Sequence, residues 1–296
     1  MFSDFVPFDI SLDPAVTIHG ICSGHGPALL LLHGFPQNLN IWHLVASKLT
    51  DTYTVVALDL RGYGQSSKPT AGEDHKTYSK KTMAQDCIGV MTTLGHEHFY
   101  VCAHDRGARV AHKMCVEHPD KVRKAMFLDI APTLAMYSKT DLAFAKAYWH
   151  WFFLIQPSPL PEKLILANPR AFIENTMGGP NGVNIGDFDR IALESCVNQL
   201  GDEDCVRGMC EDYRASAGID LEEAREDIEK GRRIKCPLRV LWGKKGVVEA
   251  QFDALVEWRA VTEGDLVDGE SIGCGHYIPE HAPEELLRHI REFLRD

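Results

Sequence analysis

The chain has 296 residues, 45% hydrophobic and 25% charged, with a formal net charge of −11. That length admits one large α/β domain or a core with an inserted subdomain, and the negative balance disfavours nucleic acid and anionic membrane surfaces as partners. Nine cysteines, an odd number with no C-x-x-C pair, argue against a disulfide framework or a zinc site and for reduced thiols in a cytoplasmic protein.

The first segment, "MFSDFVPFDI", has no basic stretch before an apolar one, so no secretory signal is expected. No apolar run approaches the roughly 18 residues of a membrane span. "PALLLLHGFP" is a continuous apolar run ending in a Gly/Pro turn, the pattern of a central buried strand. "IWHLVASKLT" follows with helical spacing, and "YTVVALDLRGYGQS" predicts a second buried strand with a glycine-rich loop. "FYVCAHDRG" and "KAMFLDIAP" predict two more strands, separated by a helix "ARVAHKMCVEHP" that Pro119 closes.

Between about Pro132 and Arg232 the buried-strand runs stop. The segment is helical and aromatic in "FAKAYWHWFFLIQP", acidic in "LEEAREDIEKG", and carries the Gly/Asn-rich loop "GGPNGVN". It predicts a helical cap over residues 133–232, inserted into a core made of residues 1–132 and 233–296. "PLRVLWGKKG" and "GDLVDGESIGCGHYIP" supply the last strands, and "APEELLRHIREFL" is an amphipathic closing helix. Strands alternating with helices predict a mostly parallel sheet covered on both faces.

The candidate chemistry lies at strand ends. "VCAHDRGARVAH" places Asp105 between the small residues Ala103 and Gly107, at the turn where many hydrolases present a nucleophile. "HGFP" precedes it, Asp129 ends the next strand and His276 lies near the C-terminus. Nucleophile, acid and histidine in that chain order match an α/β-hydrolase triad. A carboxylate that attacks a carbonyl gives an anhydride, of little use in ester hydrolysis. Backside attack on a saturated carbon gives an ordinary alkyl ester, which water then cleaves with a histidine as base. The turn therefore points to dehalogenation or epoxide opening; the competing reading is that Asp105 merely caps the helix starting at Arg106.

The acid is placed by elimination. "VLWG" is followed by Lys244, Lys245, Gly246, Val247 and Val248, with no carboxylate before Glu249, so Asp129 is the better candidate. The backbone N–H groups of Arg106 and of a residue near Phe35 are placed to form an oxyanion hole. Arg109 lies one helical turn beyond Asp105, and two guanidiniums beside a nucleophile fit bidentate capture of a carboxylate.

"HGFPQN", "DLRGYGQSSKP", "HDRGARVAH", "DIAPT" and "YWHWFFL" resemble the fluoroacetate (haloacetate) dehalogenases of the α/β-hydrolase superfamily, along essentially the whole chain. The resemblance implies Asp105 as nucleophile, His276 as base and Asp129 as its acid. It also implies Arg106 and Arg109 as binders of the substrate carboxylate. His150, Trp151 and Tyr213 would donate hydrogen bonds to the leaving halide. Their sequence context alone is that of core aromatics. Haloalkane dehalogenases differ in resembling "HDWG" at the elbow, and epoxide hydrolases in placing a pair of cap tyrosines over the nucleophile. The expected reaction is hydrolysis of short 2-haloacids, with fluoroacetate the best guess. An epoxide hydrolase or a non-catalytic small-ligand sensor are the alternatives. A small anionic substrate is expected, in a homodimer as the family suggests. With no ligand cluster and no dinucleotide glycine fingerprint, neither a metal nor an organic cofactor is expected.

Overall fold

A computed structural model of the chain describes residues 1–178 and 184–295; residues 179–183, the middle of "GGPNGVN", and Asp296 lie outside the described residues. The strands are β1 (Val6–Asp13), β2 (Val16–Gly24), β3 (Ala28–Leu32), β4 (Thr54–Leu58), β5 (Phe99–His104), β6 (Val122–Leu128), β7 (Leu238–Gly243) and β8 (Val267–Ile272). They form one eight-stranded sheet in the order β1-β2-β4-β3-β5-β6-β7-β8. Only β2 runs against the others. The apolar runs account for β3 and β5, whose residues are all buried, because helices cover the sheet on both sides. Leu30 and Leu32 face one hydrophobic cluster, and Leu29 and Leu31 face the other.

Between β4 and β6 lie helices α1 (Lys80–Thr93) and α2 (Arg106–Glu117). From β6 to β7 the described residues form only helices. These are α3 (Thr133–Ser138), α4 (Leu142–Ala147), α5 (Trp149–Leu154), α6 (Leu160–Ala167), α7 (Pro169–Met177), α8 (Arg190–Gln199), α9 (Glu203–Ala217) and α10 (Ile219–Glu229), with a 3₁₀ turn at Ile185–Asp187. After β7 come α11 (Val247–Gln251) and α12 (Ala254–Arg259), and after β8 come α13 (Ile278–His281) and α14 (Pro283–Phe293). No described helix is long and apolar enough to cross a membrane.

One reading of the sequence needs correction. "IWHLVASKLT" is not an α-helix but parts of two 3₁₀ turns, Leu39–Trp42 and Ala46–Lys48. The side chains of Asp59 and Asn38 take the Leu39 and Asn40 N–H groups, and His43 Nδ1 contacts the Asn40 carbonyl. Those local bonds compete with an α-helical ladder. "FAKAYWHWFFLIQP" forms two helices, α4 and α5, broken at Tyr148 (φ −109°, ψ 40°).

The sheet's central feature is the turn from β5 into α2. Asp105 there has φ 48° and ψ −114°, a conformation costly for a residue with a Cβ. Its N–H donates to the Leu128 carbonyl (3.1 Å), and its own carbonyl accepts from Ala108 N–H (3.1 Å). A Cβ on Gly107 would lie 2.3 Å from the His33 carbonyl oxygen, and one on Gly34 would lie 2.5 Å from Asp105 Cβ. Glycine is thus required for α2 and the 33–36 turn to approach so closely. Gly107→Ala is expected to destabilise the fold by about 1–3 kcal/mol through overpacking. A lower urea midpoint at unchanged m-value would show it.

Candidate active site

The sheet's carboxyl edge brings Asp105, Asp129 and His276 together. His276 Nδ1 donates to Asp129 Oδ2 at 2.5 Å, and Gly243 N–H donates to Asp129 Oδ1 at 2.7 Å. Asp129 also has φ 48° and is fully buried. Oδ2 orients His276, Oδ1 is taken by the Gly243 N–H, and helix α3 has no side-chain cap, so Asp129 is not a helix cap. Glu249 is exposed and accepts the Trp242 indole N–H, turned to other work than His276. Asp105 makes no capping bond to α2; its Oδ1 accepts Phe35 N–H at 3.0 Å. Its Oδ2 lies 4.0 Å from His276 Nε2. The two oxygens of Asp105 are therefore unequal: one is tied to a backbone donor, the other faces the histidine.

A cavity of about 30 Å³ adjoins Asp105, with Phe35, His150, Tyr213, His276, Tyr148 and Tyr277 in its walls. One water needs roughly 10–15 Å³ on this scale, so the space suits a molecule of very few heavy atoms. His150 stacks on Phe35 (centroids 5.7 Å apart), and Tyr213 packs edge-on against both. Trp151 sits behind this lining, 6.2 Å from the Tyr213 ring centroid.

The arginines correct one expectation. Arg106 is fully buried, and its fork is already occupied. Nε donates to Asp212 Oδ2 (3.0 Å) and Nη2 to Asp212 Oδ1 (2.7 Å), with Nη2 also reaching the Asp212 carbonyl and Ser216 Oγ. Only Nη1 lacks a partner, so bidentate capture of a substrate carboxylate by Arg106 is not available in this arrangement. Arg109 donates from Nη1 to Thr133 Oγ1 (2.5 Å), contacts Met136 Sδ, and lies with Cζ 4.8 Å from the Trp151 ring centroid. Its Nε is unpartnered. Among the described residues Arg109 forms no ion pair with a carboxylate, whereas Arg106 does.

Electrostatics separate the acids from the histidines. Burial works against the Asp105 carboxylate, but His276, Arg106 and the Phe35 N–H outweigh it and hold its pKa below the ordinary value. Burial likewise opposes a charge on His276, yet its bond to Asp129 and the charges of both aspartates raise its pKa above 6.5. Burial pushes His104 and His150 down to about 3, and His112 on α2 down to about 4. His150 is therefore neutral at pH 7. His104 Nε2 bonds to the His276 carbonyl at 2.9 Å, fixing the loop that carries the histidine.

Sequence reasoning missed Asp212, Tyr148 and Tyr277. The tyrosines stand beside singled-out residues, but nothing in their spacing marks them as cavity walls. Asp212 did leave a signal, because an arginine placed in a buried turn needs a buried acid. Among the described residues no group of three His, Cys, Asp or Glu side chains is placed to hold a metal.

The sheet order, the elbow and its glycines define an α/β hydrolase, and the family profile for the alpha/beta hydrolase fold matches residues 27–166. A crystal structure of an alpha/beta-hydrolase-fold protein from Nostoc sp PCC 7120 superposes with a TM-score of 0.95 at 46% identity, covering 99% of each chain. Fluoroacetate dehalogenase of Burkholderia sp is 44% identical over 95% of this chain and 91% of its own. Soluble epoxide hydrolase of Corynebacterium sp. (strain C12) is 29% identical, over 91% of each. The chain belongs to the fluoroacetate (haloacetate) dehalogenase family of the α/β-hydrolase superfamily.

The His276–Asp129 bond has a measurable sign. Because the partner acid favours the imidazolium, His276 should titrate above 6.5, and Asp129→Asn should lower its pKa. Ring-proton NMR across pH 5–9 checks this; an unmoved titration would mean that Asp129 does not act on His276.

Proposed function

We propose that this chain is a hydrolytic dehalogenase of short 2-haloacids that converts fluoroacetate to glycolate and fluoride through an ester on Asp105. The observation that carries the reading is the inequality of the two Asp105 oxygens, Oδ1 held by Phe35 N–H and Oδ2 4.0 Å from His276. Oδ2 attacks the methylene carbon from the side opposite fluorine, so the C–O bond forms as the C–F bond breaks. Fluoride departs toward the His150 and Tyr213 donors of the cavity wall, with the Trp151 N–H behind them as the third. His276 Nε2 then removes a proton from water, and the resulting hydroxide adds to Asp105 Cγ. Charge develops on Oδ1, where Phe35 N–H already points, with the Arg106 N–H as its second donor. Collapse releases glycolate, which takes the proton back from His276, and leaves Asp105 as a carboxylic acid bearing the water's oxygen; its proton passes to solvent and restores the carboxylate.

Arg109, with no carboxylate of its own among the described residues, supplies the charge that selects a haloacid, and Arg106 Nη1 adds one further donor. His276 must be neutral to accept the water proton, so its raised pKa moves the acid limb of turnover above the usual histidine range. Epoxide opening is the second reading, supported by the Corynebacterium relative and by the His150 and Tyr213 donors, whose rings stand 6.0 Å apart. A ligand sensor would bind without repeated turnover.

The deciding experiment offers fluoroacetate, chloroacetate and a small epoxide separately and measures free halide and diol. His276→Asn should still allow displacement but not hydrolysis, so intact-protein mass spectrometry should show a covalent adduct. Halide release by the wild type with no adduct in the variant would contradict the ester mechanism.

Fluoride is a small, poorly stabilised leaving group, so its departure needs donors in a dry pocket. Trp151→Phe keeps a ring and removes an N–H. It should cost on the order of 3 kcal/mol, roughly a hundredfold or more in rate, for fluoroacetate. Chloroacetate, with its better leaving group, should lose far less; equal losses would mean that Trp151 only shapes the pocket.

A further inference from the structure

The residues after Asp105 and before Tyr213 are joined. Arg106 follows Asp105 at the start of α2, Asp212 precedes Tyr213 in α9, and Arg106 and Asp212 form a two-bonded pair with neither side chain exposed. Three further bonds converge on Asp212. Tyr63 OH donates to Oδ2 (2.7 Å), Lys80 Nζ donates to Oδ1, and Arg106 Nη2 also reaches its backbone carbonyl. Arg106 Cζ in turn lies 4.0 Å from the centroid of the Tyr213 ring. One guanidinium thus grips both the backbone and the side chain of Asp212 while covering the ring of its neighbour.

We propose that Asp212 is a positioning residue: by holding Arg106 it fixes Tyr213 over Asp105, and so sets how well the enzyme expels a poor leaving group such as fluoride. The proposal rests on the dehalogenase reading. A carboxylate kept only to neutralise Arg106 and Lys80 would affect stability and all substrates alike. A carboxylate that aims Tyr213 affects defluorination selectively, because chloride depends less on the donor. Lys80 also lies 3.4 Å from Asp220, so removal of the Asp212 charge leaves that lysine one acid partner. Arg106 is then left with none among the described residues.

The test compares Asp212→Asn, Tyr213→Phe and the double variant on fluoroacetate and chloroacetate. Tyr63→Phe, which removes a single bond to Asp212, serves if Asp212→Asn does not fold. Asp212→Asn should lower the ratio of fluoride to chloride release by about tenfold, within the coupling range of residues in contact. In the Tyr213→Phe background it should change that ratio no further. Tyr63→Phe should lower the ratio in the same direction by about twofold, as loss of one hydrogen bond would. Equal losses on both substrates, or additive effects in the double variant, would overturn the proposal. Binding of free fluoride and chloride, followed by tryptophan fluorescence, keeps the two readings apart. A wild type that turns over no haloacetate contradicts the dehalogenase function. The placement of Tyr213 still stands or falls with weaker halide binding in Asp212→Asn.

Discussion

The turn at Asp105 is the constraint on which the rest of the site depends. An L-residue keeps φ 48° and ψ −114° only where its surroundings over-determine it. Here they do so from three sides: the Leu128 carbonyl on β6, the first turn of α2, and Phe35 N–H from the loop after β3. The reward for holding the backbone this way is direction, since the carboxylate leaves the sheet edge where the chains of β6, β8 and the inserted helices can all reach it. Asp129, also at positive φ, does for His276 what the elbow does for Asp105. Two strained strand ends thus place the two carboxylates, and the loop after β8 that carries His276 is held to them by Asp129 and by the His104 ring.

A protein of charge −11 that is proposed to take an anion must make its attraction local. On the proposed reading the arginines do this. Arg106 is matched by Asp212 and contributes geometry more than net charge, while Arg109 stays unmatched by any described carboxylate. Its field acts inside a buried site, where screening is weak, and outside it fades over a Debye length of about 8 Å at physiological salt. Arg109 lines a neighbouring cavity rather than the one beside Asp105, so on the proposed reading its charge acts on the substrate from behind the cavity wall.

The central strands were legible from their apolar runs, β8 (VDGESI) from its place before the closing helix rather than from apolar faces, and α2 and α14 because their polar and apolar residues alternate with the helical period or stop at proline. The β1–β2 hairpin was not read, since β1 is an edge strand with no fully buried residue and carries no long apolar run. The 3₁₀ turns at 39–48 were misread for a different reason: their periodicity is real, but side chains distant in sequence claim the backbone donors. The positions of Asp105, Asp129 and His276 followed from strand ends and chain order. The partner of Arg106 did not, because 106 residues separate it from Asp212 and only the packed fold shows that the arginine's fork is already in use.

The buried histidines carry a consequence for the chain when it is not folded. His104 and His150 are held at about 3 and His112 at about 4, against an ordinary 6.5. Below pH 6.5 the unfolded chain takes up protons at these rings that the native state refuses. Each such ring removes about 1.4 kcal/mol of stability per pH unit until its own native pKa is reached. Three of them act together over the same interval, whereas buried Glu280, pushed up to about 8, takes up its proton earlier and works in the opposite direction. His150, one of the three, lines the cavity beside Asp105, so the neutral wall of that cavity carries part of the acid sensitivity.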